Sequence, residues 1–358
     1  MQRHTARQWF ERLDYLDIVL WLFRIVLIVG IIWGTVATLR RGKYDSEIWL
    51  DFLVFGLAQG SLYALIALGY TLVYGILLMI NFAHGEFFMS GIFTATVFVA
   101  IPMGKSGFTD RHPIVALLII STVAMAVSVG IAVLTERVAY RPLRSAPRLV
   151  PLITAIGASF FWQYFFRGLY GSGITAFPDV ALVKGLWSIG GIEIQKAQVV
   201  VIIASIFLLI GLYFFVMRTK IGKAIRAVSE NKDIAALMGI DVDRAITITF
   251  VVGAAMAGAA GVLYALMYRQ VAFMMGFYPG IKAFTAAVLG GIGSIPGAAL
   301  GGLLLGVFEA VGPNLFLEGV GITAPYQLKD AISFTMLVLI LLVRPQGIMG
   351  EPLAEKKA

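Results

Sequence analysis

Apolar residues dominate this chain in long runs, at roughly 17–39, 49–80, 87–102, 114–135, 149–166, 198–217, 246–268, 283–311 and 330–343. About 20 consecutive apolar residues cross a bilayer as a helix, so most of these runs predict membrane spans. Two stretches do not fit one straight helix. The stretch 49–102 is over-long and broken across 81–86, where Asn81, His84, Gly85 and Glu86 fall together. The stretch 283–311 is broken across 290–297 by Gly290, Gly291, Gly293, Ser294, Pro296 and Gly297. Irregular backbone at membrane depth is tolerated only where protein or a water-filled cavity satisfies the freed groups. Both breaks are therefore candidates to line a path, and ordinary tight turns are the plainer alternative. A faint likeness between 84–91 and 296–302 hints at an internal repeat of the kind transporters use.

Composition narrows the class. Of 358 residues, 59% are hydrophobic and 13% charged, against about 25% charged in soluble domains. A soluble core of this length does not hide so much apolar surface. The expected fold is all-α and polytopic, with about nine membrane segments including broken or re-entrant helices. A net charge of +8 would suggest nucleic acid in a soluble protein. Here the basic residues cluster between apolar runs, as cytoplasmic loops require, so no nucleic-acid partner is expected.

The clusters also set orientation. Arg137, Arg141, Arg144 and Arg148 occupy 136–148, and Arg218, Lys220, Lys223, Arg226, Lys232 and Arg244 occupy 218–244. Both loops are expected in the cytoplasm, two spans apart. The tail with Arg344, Lys356 and Lys357 joins them only if 283–311 is a hairpin of two helices about its Gly-Pro break. The first span stays unoriented, because Arg3, Arg7 and Arg12 on one side balance Arg40, Arg41 and Lys43 on the other. Its length exceeds a signal-peptide core, which favours a retained anchor. The division expected is an N-terminal extension (1–48) with one extra span, a transmembrane body (49–350) and a cytoplasmic tail (351–358).

Within 218–244, Ile221, Ile225 and Val228 fall on one helical stripe. Asp233 is placed to cap a second short helix, Ile234 to Met238, with Gly239 as its stop. Such a helix pair suits docking to a soluble partner; an amphipathic helix lying on lipid headgroups fits the same pattern. No ATP site is expected: Gly104, Lys105 and Ser106 resemble the end of a phosphate loop, but Val99 replaces its first glycine. Three histidines and no cysteine leave no plausible zinc site. His84, Glu86 and Glu309 form no obvious ion relay, which weighs against a gradient-driven carrier. No nucleophile–base pair supports an intramembrane enzyme.

Several motifs together resemble one family. They are GLAQGSLYALIALGY (56–70), MINFAHGE (79–86), ERVAYRPLR (136–144), AALMGI (235–240) and KAFTAAVLGGIGSIPGA (282–298). They look like the H-type permease (LivH) of branched-chain amino-acid ABC importers, over about 50–350. The resemblance implies a homologous M-type permease as partner, two cytoplasmic ATPases that bind the ATP, and an external substrate-binding protein. It implies that 220–240 couples to the ATPases, with Gly222, Ala224, Glu230, Ala235, Ala236, Leu237 and Gly239 at the contact. Related permeases of urea and short-amide importers share much of the pattern, so those cargoes stay open. The first 48 residues extend beyond the resemblance.

Overall fold

The computed structural model describes residues 15–144, 146–147, 149–189 and 192–350. Arg3, Arg7, Arg12, Arg148, Lys356, Lys357 and the expected tail 351–358 lie outside the described residues. Twelve helices carry the architecture here. They are α1 (Tyr15–Arg41), α2 (Ser46–Leu77), α3 (His84–Ala95), α4 (Pro113–Thr135), α5 (Leu149–Tyr170) and α6 (Lys196–Arg218). A short cytoplasmic pair follows, α7 (Lys220–Glu230) and α8 (Lys232–Leu237), then α9 (Val242–Tyr268), α10 (Phe277–Gly290), α11 (Ile295–Gly312) and α12 (Lys329–Val343). Wider turns prolong α3 to Lys105, α4 to Tyr140 and α11 to Leu317. Among the described residues nine helices are long and apolar enough to span. α10 is not one of them. Its 14 residues reach ~21 Å at 1.5 Å per residue, short of a hydrocarbon core of about 30 Å.

Two small antiparallel ladders join loops on one face. β1 (Thr175–Ala176) pairs with β4 (Gln270–Val271), and β2 (Leu186–Ile189) pairs with β3 (Ile192–Gln195). Lys184 meets Asp110 at 3.0 Å and Arg269 meets Asp179 at 2.6 Å. The α3–α4, α5–α6 and α9–α10 connections therefore share a face, opposite the basic loops. At the same outer level Glu318, just after α11, accepts from Lys43 and Tyr44 in the α1–α2 corner. Ile348 N–H donates to Leu289 O at 2.9 Å, tying the segment after α12 to the inner end of α10. With the basic loops cytoplasmic, alternation places the start of α1 in the cytoplasm, which resolves the charge tie. The expected hairpin about the second break is present as α10 and α11.

Small residues let these helices approach closely. A Cβ on Gly60 would strike Gly302 and Leu303, and one on Gly306 would strike Gly60, so α2 and α11 pack backbone to backbone. Gly258 of α9 meets Ala124, Met125 and Ser128 of α4 in the same way.

The first break lies earlier than the sequence suggests. α2 ends at Leu77, 78–83 is irregular, and His84, Gly85 and Glu86 open α3 instead of sitting in the gap. The internal repeat is also differently registered. Leu78 (φ 54, ψ 29) and Arg269 (φ 55, ψ 25) are the two non-glycine residues with positive φ among those described. Each donates its N–H to the carbonyl four residues back at 2.8 Å, ending α2 and α9 alike. Gly85 and Gly276 stand at the same offset beyond these caps. They touch each other, since a Cβ on either would strike the other's carbonyl oxygen. α2–α3–α4 and α9–α10–α11 thus follow the same order of elements in opposite directions, as inverted repeats do. Sequence likeness pointed to 296–302 because glycine is common in both stretches, whereas the repeat is carried by backbone conformation.

Candidate functional site

At the crossing of the repeats, the N-terminus of α3, which runs outward, lies against the N-terminus of α10, which runs inward. Two helix N-termini meet, each carrying about half a positive charge from its peptide dipoles. The side chains of the first break spread from this point. Glu86 accepts from Ser159 Oγ at 3.2 Å through Oε1, and its unpartnered Oε2 faces Gly276. A carboxylate here offsets both N-termini. His84 lies in a slot left by Gly69 and Gly253, with Tyr70 edge-on at 4.9 Å. Asn81 Oδ1 accepts from Tyr140 O–H at 2.6 Å. The three are buried and point to different helices, so no relay connects them.

The second break is a tight turn. Gly291 (φ 106) and Gly293 (φ 96) adopt conformations that side chains resist. Gly290 packs on Gly297, and Ser294 Oγ caps α11 by accepting from Gly297 N–H at 3.2 Å, with Pro296 in the first helical turn. Met349 N–H donates to Gly290 O at 2.8 Å and Gly350 presses on Gly291, closing the turn from the cytoplasmic side. Gly290 and Gly291 are buried and Gly293 is exposed. The two breaks nonetheless converge. Ile80 from the first and Ile292 from the second line one narrow cleft with Tyr70, Tyr74 and Phe284. Sequence reasoning missed Ile80 and Ile292; their signal was position, each lying within a break as the structure defines it.

On the cytoplasmic face, Thr219 Oγ1 caps α7 by accepting from Gly222 N–H at 3.0 Å. Gly222 is buried against the last carbonyls of α6, where a Cβ would not fit. Asn231, not Asp233, caps α8, its Oδ1 accepting from the N–H groups of Asp233 and Ile234 at 3.0 Å. The cap comes earlier because α8 itself begins at Lys232. Gly239 (φ 82) ends it, and Ile240 N–H bonds Ala235 O at 3.0 Å. Ile225, Val228 and Ala235 pack inward against α9, whereas Ile221 is exposed. Ala224 is half-buried, and Glu230 and Ala236 are exposed. The outward apolar face consists of Ile234, Leu237 and Met238, exposed by 59%, 88% and 78%. Glu136 underlies this region. It is fully buried, pairs with Arg144 and accepts from Thr247 Oγ1 at 3.3 Å, while Arg144 and Arg141 hold Asp243 at the start of α9. This explains Glu136, Arg141 and Arg144 of ERVAYRPLR.

Multiple spans, one short helix and two opposed helix N-termini in contact inside the bundle are the features of a transport protein. The family described as branched-chain amino acid transport system, permease component, matches residues 52–341, and the chain belongs to it. It is 45% identical over 311 residues to the high-affinity branched-chain amino acid transport system permease protein BraD of Pseudomonas aeruginosa, covering 86% of this chain and 98% of that protein. It is 44% identical over 319 residues to LivH of Escherichia coli K12, covering 87% and 99%. A probable LivH of Methanocaldococcus jannaschii is 28% identical over 291 residues, covering 81% and 89%. None of the solved structures matches the chain. The protein is a multi-pass protein of the bacterial inner membrane. The family match begins at residue 52, after α1.

Proposed function

We propose that this chain is the translocation subunit of an ATP-driven importer for leucine, isoleucine and valine, working with a second permease, two cytoplasmic ATPases and an external binding protein. The observation that carries this is 44–45% identity along 98–99% of the length of permeases named for that cargo. Its energy comes from the ATPases, which seat on Ile234, Leu237 and Met238. Ala236 and Gly239 allow close approach there, Ala235 anchors α8 on α9, and Gly222 fixes α7 on α6. Ala224 and Glu230 lie on the flank of the same helix pair. The crossing at Gly85 and Gly276, with Glu86, is the pivot about which the repeats exchange access. Reconstituted with its partners, the complex takes up leucine when ATP is supplied and continues when the proton gradient is collapsed. Uptake by this chain alone, driven by a gradient in ATP-free vesicles, would refute the proposal.

A further inference from the structure

Away from both breaks, the membrane interior holds charged groups that nothing above uses. Lys282 of α10 pairs with Glu309 of α11 and, at 2.6 Å, with Asp330 at the start of α12. Tyr63 of α2 donates its O–H to Glu309 Oε2 at 3.0 Å, and Gln59 Nε2 donates to Tyr63 Oη at 2.6 Å. Because the Tyr63 hydroxyl gives its hydrogen to Glu309, it can only accept from Gln59. The Gln59 amide orientation follows, and its Oε1, buried, has no donor. Glu309 sits roughly 12 Å inside Leu317 at 1.5 Å per residue. Asp330 is the second residue of α12, at the outer end of its apolar run.

Charge and hydrogen bonding both come out short of donors. One lysine faces two carboxylates, and an amide oxygen is left over. Lys329, the nearest other cation in sequence, lies instead over the Tyr326 ring at 4.7 Å. The Glu309 side chain is fully buried and that of Lys282 is 8% exposed, yet that of Asp330 is 45% exposed. A half-exposed carboxylate held by a buried lysine at the start of a span characteristically faces water or a pathway and not lipid. Phe334 and Val338 follow Asp330 along the exposed side of α12 at helical spacing.

We propose that Lys282, Glu309 and Asp330 form a polar station on the translocation path for the ammonium end of an amino-acid zwitterion. The proposal rests on the transport function above. The ammonium enters at Asp330 and supplies the missing positive charge. Lys282, shared between two carboxylates, is free to turn its charge to the substrate carboxylate. The station reads what all α-amino acids have in common, and side-chain selection is left to the binding protein.

The chain has no cysteine, which permits a direct test. Asp330→Cys and Phe334→Cys are each assembled with the partner subunits in proteoliposomes and exposed to a cationic, water-soluble methanethiosulfonate. Both should react, and leucine delivered by the binding protein should slow reaction at 334, where Asp330 is retained, several-fold, whereas sodium should not. No reaction at either position, or no protection by leucine, overturns the proposal. Lys282→Met combined with Glu309→Gln keeps side-chain volume and removes the buried pair, and Asp330→Asn removes the entry charge. Losing a charged hydrogen bond of this kind lowers leucine uptake per assembled complex about tenfold or more, with ATP hydrolysis retained and Asp330→Glu restoring part of the uptake. Lower yield with unchanged uptake per complex would mark the cluster as a tether and sink the idea. Absence of ATP-driven leucine uptake by the wild-type complex would instead refute the transport function itself.

Discussion

Single glycines decide how closely the repeats approach. Gly85 and Gly276 are in backbone contact, and Gly69 makes room for the His84 ring, whereas a Cβ on Gly75 would meet nothing within 4 Å. Gly85→Ala or Gly276→Ala should therefore cost about 1–3 kcal/mol as overpacking, read as a lower Tm of the purified complex and reduced uptake. Gly75→Ala should be neutral or stabilising by up to about 1 kcal/mol, because alanine favours a helix interior. Equal effects at all three would show that the crossing is not tight. Glu86 supplies charge at this point. Glu86→Gln keeps its shape and its bond to Ser159 but removes compensation for two helix dipoles, each worth about 0.3–1 kcal/mol. Uptake should fall while membrane insertion persists, and Glu86→Asp should recover more of it than Glu86→Gln. At the second break, Gly291→Leu meets both a positive φ and the Gly350 backbone, so transport should be lost with the protein still in the membrane.

At the scale of elements, α1 and α8 are both held at their ends and free along one side. α1 is clasped by Arg24, whose Nη2 donates to Leu342 O at 3.2 Å, and by Arg41, Lys43 and Tyr44 on Glu318. Burial opposes ionisation of Glu318, but hydrogen bonds from Lys43 and Tyr44 outweigh it and hold the carboxyl below its usual range. The clasp is therefore intact above the ordinary carboxylate range and is lost as pH falls through the lowered value. Cross-linking of α1 to the α11–α12 corner should be unchanged between neutral and mildly acidic pH and weaken only below that. Glu318→Gln should weaken it at every pH. Deleting residues 1–45 should lower expression or assembly yet leave transport per complex largely unchanged, since the family match starts at residue 52. In α8, truncating a buried anchor typically costs about 2 kcal/mol of binding, and a charge at the contact costs more. Leu237→Asp and Ala236→Arg should thus release the ATPases or uncouple hydrolysis from uptake. A helix resting on headgroups predicts the ATPases still bound and activity unchanged in detergent.

For the whole molecule, the ladder between β1 and β4 and the clasp at Glu318 fix sidedness. Cysteines introduced at Lys43 and Thr175 should react with impermeant reagent from outside intact cells, and one at Leu237 only after permeabilisation. Labelling of Lys43→Cys only from the cytoplasm would invert α1 and break the clasp.

The sequence by itself determined the class, the spans and the existence of two breaks, because hydrophobic length and glycine-proline interruption are local properties of the chain. It also delivered the α7–α8 pair and its glycine stop, since capping depends on neighbours in sequence. Tertiary structure decided the orientation of α1, where flanking charges cancel, through the alternation of the observed spans and the contact with Glu318. It decided the register of the repeat, because Leu78 and Arg269 share a left-handed backbone and no side-chain chemistry. It also decided what the buried charges do. Lys282, Glu309 and Asp330 lie on three helices, and 48 positions separate the first from the last. Low dielectric makes their pairing strong, but nothing local in the chain shows that they meet.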